Sequence, residues 1–214
     1  MVIFIFLVSC DIKLGGKLDQ GIVEYEITYL EDDKQNPIIS LLPTTMEFKF
    51  KDNNYSQKVE GWMGIFSMAG LCNKDKNEYS ALLKIMSDRY VYQGKAAFGY
   101  DEFSGMKIEF TKETKVIAGF TCKEANIVFP NKEYEDFKIY YTEEIELENP
   151  NFFNPFKEIP GVILEYQYEM FDITTKLIAI RVEKIEITDD EFEVPADYKK
   201  VEKEEMEEVI NNLM

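Results

Sequence analysis

The chain holds no histidine, and that absence decides much of what its side chains can do. Imidazole is the side chain whose charge changes near neutral pH and the commonest metal ligand. Ser-His-Asp and Cys-His nucleophilic catalysis therefore cannot be assembled from these residues. There is also no GxSxG elbow, P-loop, GxGxxG turn or CxxC pair. Carboxylates are plentiful, at 41 Asp and Glu. The tight groups Glu31-Asp32-Asp33 and Asp189-Asp190-Glu191 lack the spacing of a calcium loop, and adjacent residues on a strand point to opposite faces, so they read as solvated turns. No two carboxylates have a spacing that marks them as a glycosidase-like pair. The expectation is a protein that is not an enzyme, with no cofactor and no metal.

Three cysteines carry the remaining chemistry. Cys10 ends an apolar run from Met1 to Val8, in the order Leu7-Val8-Ser9-Cys10-Asp11. This resembles a bacterial lipobox, in which a small residue precedes a cysteine that is acylated before the leader is removed. A membrane-spanning helix needs roughly 20 apolar residues, so the run fits a signal-peptide hydrophobic segment instead, although no Lys or Arg precedes Cys10. Residues 1–9 are expected to be a signal peptide, Cys10 the lipidation site, and 10–20, with Gly15-Gly16, a flexible tether. Each buried acyl methylene contributes about 0.8 kcal/mol, and more than one chain suffices for stable anchoring. The location implied is the cell envelope, on its periplasmic face or at the outer membrane. Cys72 and Cys122 then form an even pair in a compartment where disulfides persist. A bridge between them would stabilise by roughly 4 kcal/mol in the chain-entropy model. Cys122 is also in phase with Val116, Ala118 and Phe120, the pattern of a buried free thiol, and both readings stand.

Gly61 to Cys72 is apolar without a pure strand or helix period. Methionine adapts to several apolar surfaces, and the flanking glycines would let Trp62, Met63, Phe66 and Met68 form a lid over an acyl chain or a hydrophobic peptide. The alternative is that these four residues complete a core.

The elements that would position such a site are strands. In Gly21 to Leu30, Val23, Tyr25, Ile27 and Tyr29 alternate with Glu24, Glu26 and Thr28, the period of a half-buried strand. The same alternation recurs at Met46-Phe48-Phe50, Met106-Ile108-Phe110, Phe137-Ile139-Tyr141 and Val162-Leu164-Tyr166-Tyr168. Weaker strands are expected at Tyr55–Val59, Glu78–Met86, Arg89–Gln93 and Thr114–Phe129, separated by turns such as Asp52-Asn53 and Pro130-Asn131. From Lys176 to Ile187 the apolar phase changes, which predicts a bulge near Glu183. Val201 to Met214 carries Met206, Val209, Ile210 and Leu213 at helical offsets amid glutamates. The fold expected is mainly β, a large curved antiparallel sheet forming an unclosed half-barrel over residues 21–214, with a C-terminal helix and few others. A net charge of −17 repels phosphate backbones and anionic lipid heads alike, so nucleic acid is excluded as a partner and membrane attachment falls to acylation.

Four blocks resemble a group of Gram-negative lipoproteins of unknown function. They are Val116-Ile117-Ala118-Gly119-Phe120-Thr121-Cys122-Lys123-Glu124-Ala125, Tyr140-Tyr141-Thr142-Glu143-Glu144-Ile145, Ile159-Pro160-Gly161-Val162-Ile163-Leu164-Glu165-Tyr166 and Phe192-Glu193-Val194-Pro195-Ala196-Asp197-Tyr198-Lys199. That group is similar to the LolA/LolB-like superfamily of lipoprotein-sorting carriers, and the third block resembles the GLPGLI motif, with Glu158 and Ile159 where that motif has glycine and leucine. The resemblance implies an unclosed antiparallel barrel that shelters acyl chains, and no ligand-contact residue transfers by position. Two functions follow as expectations: a lipid-anchored module binding a lipid or acyl chain in its half-barrel, or an accessory envelope lipoprotein that binds another protein and fills its own concavity.

Overall fold

The computed structural model describes residues 17–31, 36–61, 64–74, 76–94, 103, 105–131, 134–170 and 173–212. Alternating residues build twelve strands: β1 Gln20–Tyr29, β2 Thr45–Lys51, β3 Asn54–Gly61, β4 Phe66–Asn73, β5 Glu78–Ile85, β6 Asp88–Gly94, β7 Lys107–Ile117, β8 Phe120–Val128, β9 Phe137–Thr142, β10 Val162–Met170, β11 Ile173–Glu183 and β12 Lys199–Lys200. One α-helix, α1 Lys203–Asn211, follows them. The strands form a single sheet in the order β12-β6-β5-β4-β3-β2-β1-β11-β10-β9-β8-β7, and its two end strands do not pair, so it stays an open half-barrel. This is the mainly β architecture that the alternation predicts. Neighbouring strands are antiparallel except for the short β12, which lies parallel to β6.

Tight turns set the meander. Asp52 and Asn53 take positive φ (49° and 67°) between β2 and β3, and Ala118 and Gly119 do the same (47° and 87°) between β7 and β8, the backbone that two-residue hairpins require. The second turn divides the stretch expected as one strand from Thr114 to Phe129. Val116 is consequently 69% exposed, whereas Cys122 is fully buried, so the two do not share a face as the phase suggested. The bulge also falls elsewhere. Glu24 pairs with Arg181 and Tyr25 with Ala179, which makes Ile180 the extra residue and leaves it exposed. The buried residues of β11 are Ile173, Thr175, Leu177 and Ala179, while the in-between Ile178 and Val182 are only partly buried and Ile180 is exposed.

The inner face is the core. Val23, Tyr25 and Ile27 line up across β2 with Phe48 and Met46 and across β11 with Ala179 and Leu177. Against this face lies the connection between β9 and β10, residues 143–161, which contributes Ile145, Leu147, Phe153, Phe156 and Ile159 to the same cluster. Burying each such side chain contributes about 1.5–3 kcal/mol. This plug is tied down by buried Asn151, whose amide donates to the carbonyls of Ile159 and Gly161, both at 2.9 Å. Gly161 then passes so close to β9 that a Cβ there would sit 2.2 Å from the Thr142 carbonyl oxygen. The Ile159-Pro160-Gly161-Val162 segment is thus where the plug rejoins the sheet, and only glycine fits its third position. Between plug and sheet remains a void of about 20 Å³ bordered by Phe48, Asn151 and Tyr166, room for about one water.

After β11 the chain crosses the outer face. Lys51 pairs with Asp189 at 2.6 Å, Lys49 with Glu191 at 3.2 Å, Lys76 with Glu193 at 2.7 Å and Arg89 with Asp197 at 3.1 Å. The group Asp189-Asp190-Glu191, expected as a solvated turn, is a 3-10 turn (Asp189–Phe192) anchored by lysines of β2. Val194 and Tyr198 cover Leu71, Leu82 and Val91. The chain then rounds the β6 edge, and α1 comes to rest on the inner face, with Val201 and Met206 against Phe66 and Leu83.

Of the expected signal peptide and tether, residues 1–16 lie outside the described residues. Leu18 belongs to the fold rather than to a tether: it is buried and bridges to Ile145, its N–H donating to the Glu144 carbonyl at 2.9 Å. Among the described residues, no helix is long and apolar enough to cross a membrane.

Candidate ligand-binding cleft

β9 and β10 pair only briefly. Thr142 faces Val162, Tyr141 faces Ile163 and, after a shift of register, Tyr140 faces Glu165. Beyond that point Ile139 and Phe137 continue along β8, while Tyr166 to Met170 continue along β11. Phe156 of the plug occupies the fork: its ring meets Phe137 edge-on at 6.2 Å and Tyr166 at 6.3 Å. The Ile163 carbonyl at the shift accepts a hydrogen bond from buried Tyr25 at 2.7 Å, and burial drives that phenol well above its ordinary range.

Where the strands part, a cleft of about 450 Å³ opens, within the size range of small-molecule sites. One bank is formed by the β8–β9 hairpin, with Phe129, Tyr134, Glu135 and Phe137, joined by Phe103 from the connection between β6 and β7. The rings of this bank are mutually packed, Phe129 to Tyr134 at 5.3 Å, Phe103 to Phe129 at 6.0 Å and Phe129 to Phe137 at 6.2 Å, which makes a fixed apolar wall. The other bank carries Tyr168 and Gln167 of β10, Thr174 of β11, and Leu30 with Glu31 just past β1. Tyr168 is stacked on Tyr166 at 5.9 Å. The cleft combines aromatic walls with an amide, a hydroxyl and two carboxylates, which suits binding and orientation of a ligand.

The structure places the residues singled out from sequence elsewhere. Cys10, Trp62 and Met63 lie outside the described residues. Phe66, on β4, is 3% exposed and lies under α1 with Leu83, Val201 and Met206, and Met68 packs beside it; both belong to a closed helix–sheet contact, not to the cleft. Cys72 and Cys122 are free thiols, not bridged. They stand on β4 and β8, with six strands between them in the sheet. Burial pushes the Cys72 thiol up to about 11 and the Cys122 thiol up to about 12.

Two carboxylates that the sequence did not mark do come together on the outer face. Glu124, Tyr140 and Glu165 occupy one row across β8, β9 and β10, and both carboxylates are buried. The Glu124 carboxylate accepts hydrogen bonds from the Tyr140 hydroxyl at 2.7 Å, the Lys138 ammonium at 3.0 Å and the Thr111 hydroxyl at 3.3 Å. These bonds, Tyr140 first, hold Glu124 below the usual carboxylate range, and the Tyr140 phenol is pushed up to about 12. At Glu165 burial alone would raise the pKa, but the ammonium groups of Lys115 at 2.5 Å and Lys176 at 2.8 Å outweigh it and the net shift is downward. Both groups are ionised at neutral pH and have no proton to give, so the row is an ion-pair ladder joining strands.

No known protein family and no curated protein matches the chain. Among solved structures it is similar to PNGF-II in a P21 crystal, with a TM-score of 0.56 at 12% identity over 90% of this chain and 33% of that one. A C2 crystal of PNGF-II gives a TM-score of 0.49 at 13% identity, covering 86% and 31%. The chain spans about a third of the PNGF-II chain, and the likeness is one of fold.

Proposed function

We propose that the protein is a lipid-anchored, non-catalytic envelope module that binds an apolar ligand, such as a lipid or acyl chain, in the cleft between β9 and β10. The observation that carries the reading is the aromatic cleft itself, about 450 Å³ and walled by Phe103, Phe129, Tyr134, Phe137 and Tyr168. The lipobox-like Leu7-Val8-Ser9-Cys10 supports the anchor, and the resemblance to LolA/LolB-like carriers supports an acyl ligand. The ligand site moves from the expected lid to the fork in the sheet. A second reading, an accessory lipoprotein that binds another protein, draws support from the plug: residues 145–159 fill the half-barrel with the protein's own side chains.

Titration with the neutral fluorophore N-phenyl-1-naphthylamine separates the two. A saturable signal in the native protein, weakened at least tenfold in Tyr168→Ala with an unchanged circular dichroism spectrum, supports the cleft. An unsaturable signal, or one indifferent to Tyr168, would leave the protein-binding reading. In parallel, Cys10→Ser is expected to move the protein from the membrane pellet to the soluble fraction; unchanged fractionation overturns the anchor.

A further inference from the structure

We infer that the occupant of the cleft carries a cationic, alkylammonium end on its apolar body; this rests on the cleft reading and names the ligand class. The two banks of the cleft each bring one carboxylate to its rim, Glu31 from the end of β1 and Glu135 from the β8–β9 hairpin. Both are exposed, and Glu31 is steadied by the Asn36 amide, which donates to it at 3.4 Å. The described lining includes no Lys or Arg. An anionic head group entering here meets two like charges, on a chain whose net charge is −17. A free fatty acid is therefore the wrong member of the apolar class.

A cation meets the opposite conditions. Its charge lies between carboxylates on two sides, and its alkyl substituents lie against aromatic rings whose faces are electron-rich. Ring faces attract desolvated cations, and weakly hydrated quaternary ammonium groups are the ones most readily taken from water. Tyr168 on one bank and Phe137 with Tyr134 on the other supply those rings, while Gln167 and Thr174 offer hydrogen bonds to a neighbouring polar linkage.

The test is calorimetric titration of the full chain, as the Cys10→Ser variant in solution at low ionic strength, with three ligands sharing one tail: n-octyltrimethylammonium, n-octanol and n-octanoate. The ammonium compound is expected to bind at least tenfold more tightly than octanoate, with octanol between them. Glu31→Gln with Glu135→Gln should bring the three within about threefold of one another, while Glu204→Gln with Glu205→Gln on α1 leaves the tenfold preference, which separates the cleft from general attraction to an acidic surface. Octanoate binding as tightly as the ammonium compound, or a preference untouched by the Glu31/Glu135 pair, overturns the cationic end and leaves the apolar cleft standing. Binding of none of the three overturns the cleft reading as well.

Discussion

The two flanks of the sheet use similar residues to opposite ends. On the β4–β6 flank, Phe66, Leu83 and their neighbours are sealed under α1, and the outer side of the same strands is sealed by Val194 and Tyr198. On the β8–β11 flank, Phe137 and Tyr168 are just as apolar, yet two adjacent strands follow different partners and a cleft stays open between them. Aromatic content does not separate a core from an open cleft. What separates them is whether a covering element reaches the face and whether neighbouring strands keep their register.

The comparison breaks most readily at Phe156, which touches both arms of the fork. Phe156→Ala is expected to cost about 3–5 kcal/mol in urea unfolding, the range for a buried phenylalanine replaced by alanine, and to abolish naphthylamine binding as Phe137 and Tyr166 close on the vacated space. A loss under 1 kcal/mol would mean the strands part for another reason. Next in size, Met206→Ala should cost about 2 kcal/mol, the low end for buried methionine, because Met206 belongs to a small satellite cluster. It should leave cleft binding unchanged, and a change there would show the two flanks to be coupled.

The smallest effect concerns acid. Glu124 and Glu165 have folded pKa values below the ordinary carboxylate. Their contribution to stability is therefore fully present above the unfolded value and disappears as pH falls through the folded values. Stability should decline below about pH 4.5, the ordinary glutamate value, and Glu165→Gln should flatten that decline. Its cost at pH 7 is about 1 kcal/mol, because Lys115 and Lys176 are 47% and 32% exposed and stay hydrated. A variant with the native acid profile would remove Glu165 from the account.

The inner-face residues of β1, β2, β9 and β10 were legible in the sequence because period-two alternation maps directly onto a half-buried sheet. The helix stripe Met206-Val209-Ile210 was legible for the same kind of reason. The cleft was not. Phe103 and Tyr134 lie in connections, where no period marks them, and the cleft exists only because β9 and β10 lose register after Tyr140, which is a property of two strands together. The Gly61–Cys72 stretch misled in the opposite direction, since local composition carries no sign of the distant helix that covers Phe66. Glu124 and Glu165 are 41 residues apart in number, and only the order β8-β9-β10 brings them into one row. Ala118-Gly119 did carry a signal for its turn, a glycine inside an apolar run, which the phase of the surrounding residues obscured.

The route of residues 184–212, over one side of the sheet, around its rim and onto the other, ties completion of the fold to the order of synthesis. Every long strand can be made and paired before this closing wrap exists, and until it arrives Phe66, Leu83 and the β6 margin are bare. A nascent chain thus keeps one greasy flank open until residues 201–206 emerge and Val201 and Met206 can settle on Phe66 and Leu83.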